Sequence, residues 1–216
     1  PLWTAPFLQD VPYDPLKDFS PISLTVISPN AVTISAVVPA NSVAELVALA
    51  KAKPGELNAY IASGAGSSSL STLLFQSVTG AKFTNVGYKS SAQGMNDLVA
   101  GRLHVIFPAI AAVLPQAKSG KIKVLAVTSQ DRFPLAPDVP TMISLGYPDF
   151  VSGSVHALFA PPKTPAAIVN RLNKEVVTFL SQDETKAKLP PMGFSIVASS
   201  PADLAQFIKS DMDRMG

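Results

Sequence analysis

The fold class follows from one stretch, residues 42–69, which reads SVAELVALAKAKPGELNAYIASGAGSSS. Its first half predicts a helix, because Ser42 and Glu45 have capping-box spacing and Pro54-Gly55 then stops the pattern. Residues 58–62 predict a short strand, and a loop of glycine and serine follows it. The inward stripe of the helix has four members: Val43, Leu46, Val47 and Ala50.

The same alternation of strand and helix extends on both sides of this stretch. A second helix is expected after Gly66, with Gly80 as its end, and a third covers residues 92–100. Because crossovers of about ten or more residues join the strands, we expect parallel pairs and an α/β lobe at residues 25–128. The strands are predicted at 22–27, 31–36, 58–62, 83–88, 103–107 and 122–128. The inward residues are Leu70, Leu73, Leu74 and Val78 in the second helix and Met95, Leu98 and Val99 in the third.

Residues 1–24 and 129–216 predict only part of a second lobe. Three prolines within residues 132–140 interrupt the alternation and indicate a linker or an extended crossing. Two helices begin at Thr164-Pro165 and Ser200-Pro201, where a hydroxyl residue precedes a proline at the first helical position. Their inward residues are Ile168, Val169, Leu172 and Val176 in the first and Leu204, Phe207, Ile208 and Met212 in the second, and strands are predicted at 154–159 and 194–197.

Composition excludes several classes of protein. The chain has 216 residues, 17 of them basic and 15 acidic, and it contains no cysteine. Its 47% of apolar residues excludes a disordered tail, and the absence of cysteine excludes a disulfide scaffold. The formal charge of +2 is too small and too scattered for the basic face that binds phosphate backbones. The sequence contains no run of about twenty apolar residues, so it predicts no membrane-spanning helix. Since the chain opens with Pro1 and no leader is visible, we expect a processed or trimmed product.

The candidate site is the loop between the strand at 58–62 and the second helix. Its glycines let the backbone approach a ligand closely, and free amides at the helix start carry partial positive charge. Serine hydroxyls add donors without charge, so the loop suits an anion at the carboxyl end of a strand. The alternative is a tight turn with a helix cap, which needs only one glycine and one serine. The residues of the loop are Ser63, Gly64, Ala65, Gly66, Ser67, Ser68 and Ser69.

Nucleotide-binding, catalytic and metal-binding motifs are missing from the sequence. No lysine follows Gly66, and Ser69 stands where a dinucleotide fingerprint needs its third glycine. No GxSxG motif surrounds any serine. We interpret His104 as a structural histidine, while His156 either lines a cleft or is structural as well. Because neither histidine has partners at metal-ligand spacing, no metal and no cofactor are predicted.

Motifs along the chain resemble those of the solute-binding proteins of tripartite tricarboxylate transporters, often called Bug receptors. The motifs occur in the same order as in that family and span nearly all 216 positions, and the resemblance rests on this order. The matching segments are residues 11–21 (VPYDPLKDFSP), 42–46 (SVAEL), 50–55 (AKAKPG), 64–67 (GAGS), 88–89 (YK), 120–122 (GKI), 125–129 (LAVTS), 138–141 (DVPT) and 158–161 (LFAP).

The resemblance implies a fold like the type II periplasmic binding proteins, which have two lobes and close around a ligand. Such receptors hold small carboxylates or dicarboxylates, deliver them to a membrane transporter and are not enzymes. It also implies that this chain lacks about the first eighty residues of the family's mature chain, and with them half of the usual pocket. Leu70, Pro108 and Val155 stand where relatives often carry histidine, aspartate and an aromatic residue, so the identity of the ligand does not carry over.

Our first hypothesis is therefore a periplasmic carboxylate receptor with one complete α/β lobe and a partial second lobe. The loop would hold a carboxylate, Tyr88 and Phe107 would offer apolar walls, and His156 would line the cleft. The shortened chain is expected to bind weakly or not at all. The alternative is a non-binding structural or interaction domain that self-associates through the exposed partial lobe. A hydrolase that uses His156 is a third hypothesis.

Overall fold

The computed structural model describes residues 2–7, 10–62 and 66–215. Within these residues the chain forms eight strands and seven α-helices. No helix in this part of the chain is long and apolar enough to cross a bilayer. The strands are β1 Ser20–Pro29, β2 Ala31–Ser35, β3 Asn58–Ala62, β4 Thr84–Tyr88, β5 Val105–Ile106, β6 Ile122–Val127, β7 Gly153–Ala160 and β8 Ser195–Ile196. The helices are α1 Val43–Ala52, α2 Ser67–Thr79, α3 Ser91–Val99, α4 Ile110–Ala117, α5 Ala166–Ser181, α6 Asp183–Lys188 and α7 Pro201–Met215.

Helix α1 confirms its prediction residue by residue. Ser42 Oγ accepts a hydrogen bond from the Glu45 amide at 3.1 Å, and Glu45 Oε2 accepts one from the Asn41 amide at 2.7 Å. The two side chains thereby satisfy two amide groups at the start of the helix. All four residues of the predicted stripe are buried: Val43, Leu46, Val47 and Ala50.

Helix α2 buries a different face from the predicted one. Leu73 is 45% exposed and Val78 is 42% exposed, so the predicted stripe of Leu70, Leu73, Leu74 and Val78 is wrong. Within that stripe Leu74 alone packs partly against the core. Three hydroxyl groups of this helix donate to backbone carbonyls four residues earlier, so their protons are paired within the core: those of Ser71, Thr72 and Thr79. The buried residues are Ser69, Ser71, Thr72, Phe75 and Thr79.

Five strands form the larger sheet, in the order β4-β3-β5-β2-β6. Strand β3 runs parallel to β4 and β5, as expected for strands joined by helical crossovers. Strand β2 is antiparallel to both β5 and β6, which corrects the prediction of parallel pairs throughout. Only Asn30 separates β2 from β1, so no helix precedes β2 and the crossover rule does not set its direction.

Successive residues of the larger sheet point into two separate apolar clusters. Ala59 and Val105 belong to the cluster that contains the buried residues of α1, whereas Tyr60 and Ile106 belong to the cluster that contains those of α3 and α4. Because neighbouring residues of a strand face opposite sides, helices cover both faces of this sheet. This arrangement is the α/β architecture that the sequence predicts.

The chain divides into two compact units. The large-sheet unit is Ser28–Ser154, which extends past the predicted lobe of residues 25–128. The extension has a physical reason, because Phe133, Met142 and Phe150 are buried in the two clusters of this unit. Residues 132–140 therefore lie within one unit and do not link two units, and they form turns in which the Ala136 and Val139 amides donate to the carbonyls of Phe133 and Ala136.

The small-sheet unit comprises Pro1–Ile27 and Val155–Gly216. Its sheet has the order β7-β1-β8, and β1 pairs antiparallel with β8. Ile168 and Leu172 on α5 are 51% and 42% exposed, so two members of that predicted stripe are wrong. Two clusters of buried residues form its core, Trp3, Leu24, Leu204 and Ile208 in one and Ile22, Ala160 and Val169 in the other.

Two helices are predicted to start with a hydroxyl residue followed by proline, and in the structure the hydroxyl residue caps only one of them. Ser200 Oγ accepts from the Asp203 amide at 3.1 Å and donates to the Asp203 carboxylate at 2.7 Å, so Ser200 caps α7 as predicted. Thr164 instead donates to the carbonyl of Pro161 at 2.8 Å, and Pro165 takes the cap position of α5 without a side-chain hydrogen bond.

Candidate functional site

The predicted anion loop lies partly outside the described residues. Ser63, Gly64 and Ala65 belong to that part, so the site is built here from Gly66 onward. Gly66 is the N-cap of α2 and has an extended backbone, with φ −85° and ψ 150°. The helix starts close after the carboxyl end of β3, as predicted, and this end of a strand is where open α/β sheets bind ligands.

The start of α2 favours a negative charge. Gly66 has no side chain, and among the described residues no side chain caps this helix. Its first turn contains no acidic residue, so no internal carboxylate offsets the partial positive charge of the first amides. A carboxylate is therefore electrostatically favoured at this point.

The hydroxyls of the three consecutive serines have three different environments. Ser67 Oγ lies 3.0 Å from Ser154 Oγ, and either atom can be the donor. Ser68 Oγ is buried and has no hydrogen-bond partner in the described part of the chain. Ser69 Oγ accepts from the Ala62 amide at 2.7 Å and so holds the end of β3 to α2. Because either oxygen of the Ser67–Ser154 pair can donate, Ser67 can keep this contact as an acceptor and give its own proton to another group.

Tyr88 ends the strand next to the loop. It pairs with Ala62 in the parallel register of β3 and β4, and its ring stacks on Tyr60 with a centroid distance of 5.5 Å. The phenol donates to Asp97 on α3 at 2.9 Å. Burial and this hydrogen bond raise the pKa of Tyr88, while hydrogen bonds from Arg102 and Tyr88 lower the pKa of Asp97. The Tyr88 hydroxyl is thus hydrogen-bonded within the large-sheet unit, and its ring is stacked on Tyr60. A contact between the Tyr88 ring and a ligand stays a prediction.

The structure places the other two predicted contacts elsewhere. Phe107 is fully buried among Phe75 and Phe150, so it is a core residue and does not form an open wall. His156 belongs to the small-sheet unit, on β7, where its ring packs edge-on against Phe194 at 5.5 Å. Neither residue is brought to the start of α2 within the large-sheet unit.

A buried polar network beside α2 was missed by sequence reasoning. Asn30 Nδ2 donates to Ser71 Oγ at 2.8 Å, and Ser71 Oγ lies 2.8 Å from Ser152 Oγ. The Thr128 hydroxyl oxygen lies 2.6 Å from the carbonyl oxygen of Ser152 and 2.9 Å from that of Asn30, and these two acceptors share its one proton. These residues are far apart in sequence and share no local pattern. The sequence indicates this network only through the short run of small residues at 152–154.

In residues 2–7, 10–62 and 66–215, no three histidine or acidic side chains come close enough together to hold a metal ion. The site therefore consists of backbone amides and neutral hydroxyls. Such donors can bind an anion by hydrogen bonds, and they offer no general base or activated nucleophile of their own.

Comparisons with known proteins find relatives over nearly the whole chain. The family model described as tripartite tricarboxylate transporter family receptor matches residues 1–216. A structure titled R. palustris Rpa4515 with adipate is 33% identical, with a TM-score of 0.83 over 95% of this chain and 69% of its own. The periplasmic binding protein BugD is 28% identical, with a TM-score of 0.83 over 99% and 73%. MatC from Rhodopseudomonas palustris with bound malate is 27% identical, with a TM-score of 0.82 over 99% and 74%.

These matches confirm the predicted family resemblance and the predicted fold class, which is that of periplasmic binding proteins. The chain spans 62% and 64% of the length of the first two curated relatives that it matches.

Proposed function

The chain belongs to the tripartite tricarboxylate transporter receptor family, and on that premise we propose that it is a receptor for a small carboxylate or dicarboxylate. We further propose that it acts in the periplasm and delivers its ligand to the membrane components of a tripartite transporter. Relatives of this kind are solute-binding receptors and not enzymes, and the proposed role needs neither a cofactor nor a nucleophile.

The observation that carries the proposal is the start of α2. Gly66 has no side chain and no described side chain caps the first turn, no acidic residue lies in that turn, and Ser67 adds a neutral hydroxyl. Hydrogen bonds from such donors to a carboxylate contribute about 1.5–3 kcal/mol each. Adipate and malate, which accompany two related structures, are dicarboxylates of the kind that this seat would hold by one end.

The proposal is tested by NMR titration of the ¹⁵N-labelled chain with adipate and with malate. Titration into the millimolar range, about −4 kcal/mol of binding free energy, detects a weak complex. We expect the amide signals of Gly66, Ser67, Ser68 and Ser69 to shift with either acid. The neutral diamide of adipate is the matched control and should cause no such shift, because it lacks the negative charge. No shift with either acid, or equal shifts with the diamide, would contradict the proposal.

A second candidate function is self-association, and one observation favours it. The small-sheet unit has an open apolar groove of about 400 Å³. Within it Leu158 is 44% exposed and Phe179 is 58% exposed. Sedimentation over a range of concentrations separates this candidate from the receptor, because a chain that remains monomeric excludes it. The groove is lined by Thr25, Leu158, Glu175, Val176, Phe179 and Leu180.

A further inference from the structure

Side-chain hydrogen bonds hold the start of α2 at two points, and the family match assigns no role to them. At the first point Ser71, one turn into the helix, contacts Asn30 and Ser152, each at 2.8 Å. At the second point Ser67, the first residue of the helix, contacts Ser154 at 3.0 Å. Asn30 and Ser71 are 1% and 0% exposed, so the hydrogen bond between them is shielded from water.

At the first point the Ser71 hydroxyl has two acceptors within hydrogen-bond distance. Ser71 has one hydroxyl proton, and its oxygen lies 2.8 Å from the Ser67 carbonyl and 2.8 Å from Ser152 Oγ. Ser71 is the donor in both contacts, so the Ser67 carbonyl and Ser152 Oγ share its one proton. Asn30 donates to the same Ser71 oxygen. Four residues thus fix the first turn of α2 without any charged group.

The backbone that carries Ser152 and Ser154 is itself held in place. The Ser152 amide donates to the Thr128 carbonyl at 3.1 Å, and the Asn30 amide donates to the Ser152 carbonyl at 3.4 Å. A Cβ atom on Gly153 would lie 2.6 Å from the carbonyl oxygen of Ser28, so only glycine fits there without a shift. The two serines therefore present their hydroxyls from a close-packed segment.

The second point has two possible arrangements, and a bound carboxylate selects one of them. Either Ser67 donates to Ser154 or Ser154 donates to Ser67. A hydrogen bond to a carboxylate is stronger than one to a neutral hydroxyl, so Ser67 should donate to the ligand when the ligand is present. Ser67 Oγ then keeps its contact with Ser154 only by accepting the Ser154 proton.

We propose that Ser154 is a positioning residue of the carboxylate seat, which donates to Ser67 Oγ and leaves the Ser67 proton for the ligand. Asn30, Ser71 and Ser152 hold the first turn of α2 against the same segment. This inference rests on the proposed receptor function, since it assigns a role in binding to a residue that need not touch the ligand.

The test is a double-mutant cycle on Ser67 and Ser154, read as the Kd for malate in the NMR titration. We expect Ser67→Ala and Ser154→Ala each to raise the Kd about tenfold, and the double variant to raise it about tenfold and not a hundredfold. Ser154→Thr keeps the hydroxyl and should bind within about twofold of the wild type. Ser119→Ala is the matched control, because Ser119 is exposed and bonds only to the nearby Gln116 carbonyl among the described residues.

Three outcomes overturn the positioning role of Ser154: additive effects in the cycle, an unchanged Kd in Ser154→Ala, or a folded Ser154→Thr that fails to restore binding. Amide chemical shifts far from the site show whether each variant is folded. If the wild-type chain binds neither malate nor adipate, the receptor function fails and the role of Ser154 fails with it. If the wild type binds and Ser154→Ala leaves the Kd unchanged, the positioning role of Ser154 fails and the receptor function stands.

Discussion

At the scale of single residues, His104 shows how one ring nitrogen can make a fold depend on pH. Its Nδ1 accepts a hydrogen bond from the Asn58 amide at 2.8 Å. Burial lowers the pKa of His104 below its ordinary value of 6.5. A protonated Nδ1 cannot accept, so the native state favours the neutral ring. This contact agrees with the interpretation of His104 as a structural histidine.

We expect the contribution of His104 to stability to be complete above pH 6.5 and to fall as the pH drops toward the lowered native pKa. The sign follows because the unfolded chain takes up the proton first. Urea midpoints by circular dichroism at about pH 7.5 and about pH 5.5 measure the loss. His104→Asn keeps an oxygen acceptor but does not titrate, so it should lose less stability between the two values. His156→Asn leaves the Asn58 contact in place and is the control; equal losses in wild type and His104→Asn would refute the assignment.

At the scale of elements, α1 and α2 show where sequence periodicity succeeds and where it fails. In α1 every buried residue is apolar, so the 3.6-residue spacing of apolar residues identifies the buried face correctly. In α2 the inward face carries Ser71 and Thr72, whose hydroxyls satisfy carbonyls of their own helix. Leu73 and Val78 of the predicted stripe instead point outward. A pattern based on hydrophobicity alone cannot distinguish two such faces, because hydroxyl groups that bond within the helix can be buried.

The inverted face of α2 predicts a large difference between two neighbouring residues. Phe75 is fully buried and stacks on Phe83 with a centroid distance of 5.8 Å, whereas Leu73 is 45% exposed. Phe75→Ala should therefore cost about 3–5 kcal/mol of unfolding free energy, because it leaves a cavity in the core. Leu73→Ala should stay within about 0.5 kcal/mol of the wild type. Chemical denaturation of both variants measures the difference, and a larger loss for Leu73→Ala would restore the stripe predicted from the sequence.

At the scale of the whole molecule, the sequence locates elements better than it locates their partners. All eight described strands lie within or beside predicted segments, since each has its own local apolar pattern. The direction of β2 and the membership of residues 129–154 depend on long-range packing, through Phe133 and Phe150 for example, and escaped prediction. The candidate site divides in the same way. The start of α2 is readable from Gly66 and the serines, whereas Asn30 and Ser152 join it across many intervening residues.

The separate cores of the two units lead to a prediction about cooperativity. Leu204 is fully buried in the cluster with Trp3 and Leu24, and no described residue of the large-sheet unit belongs to that cluster. Leu204→Ala should destabilise its unit by about 2–5 kcal/mol and speed hydrogen exchange in β1 and α7. Exchange in α1 and β3 should change much less, because their protection depends on the other clusters.

Phe75→Ala is the reciprocal variant, since Phe75 belongs to the large-sheet unit. It should speed exchange in α1 and β3 and leave α7 nearly unchanged. Hydrogen exchange followed by mass spectrometry on both variants resolves the two units in one experiment. If either substitution speeds exchange equally throughout the chain, the two units unfold as a single cooperative body, and the partition into separately stabilised cores is wrong.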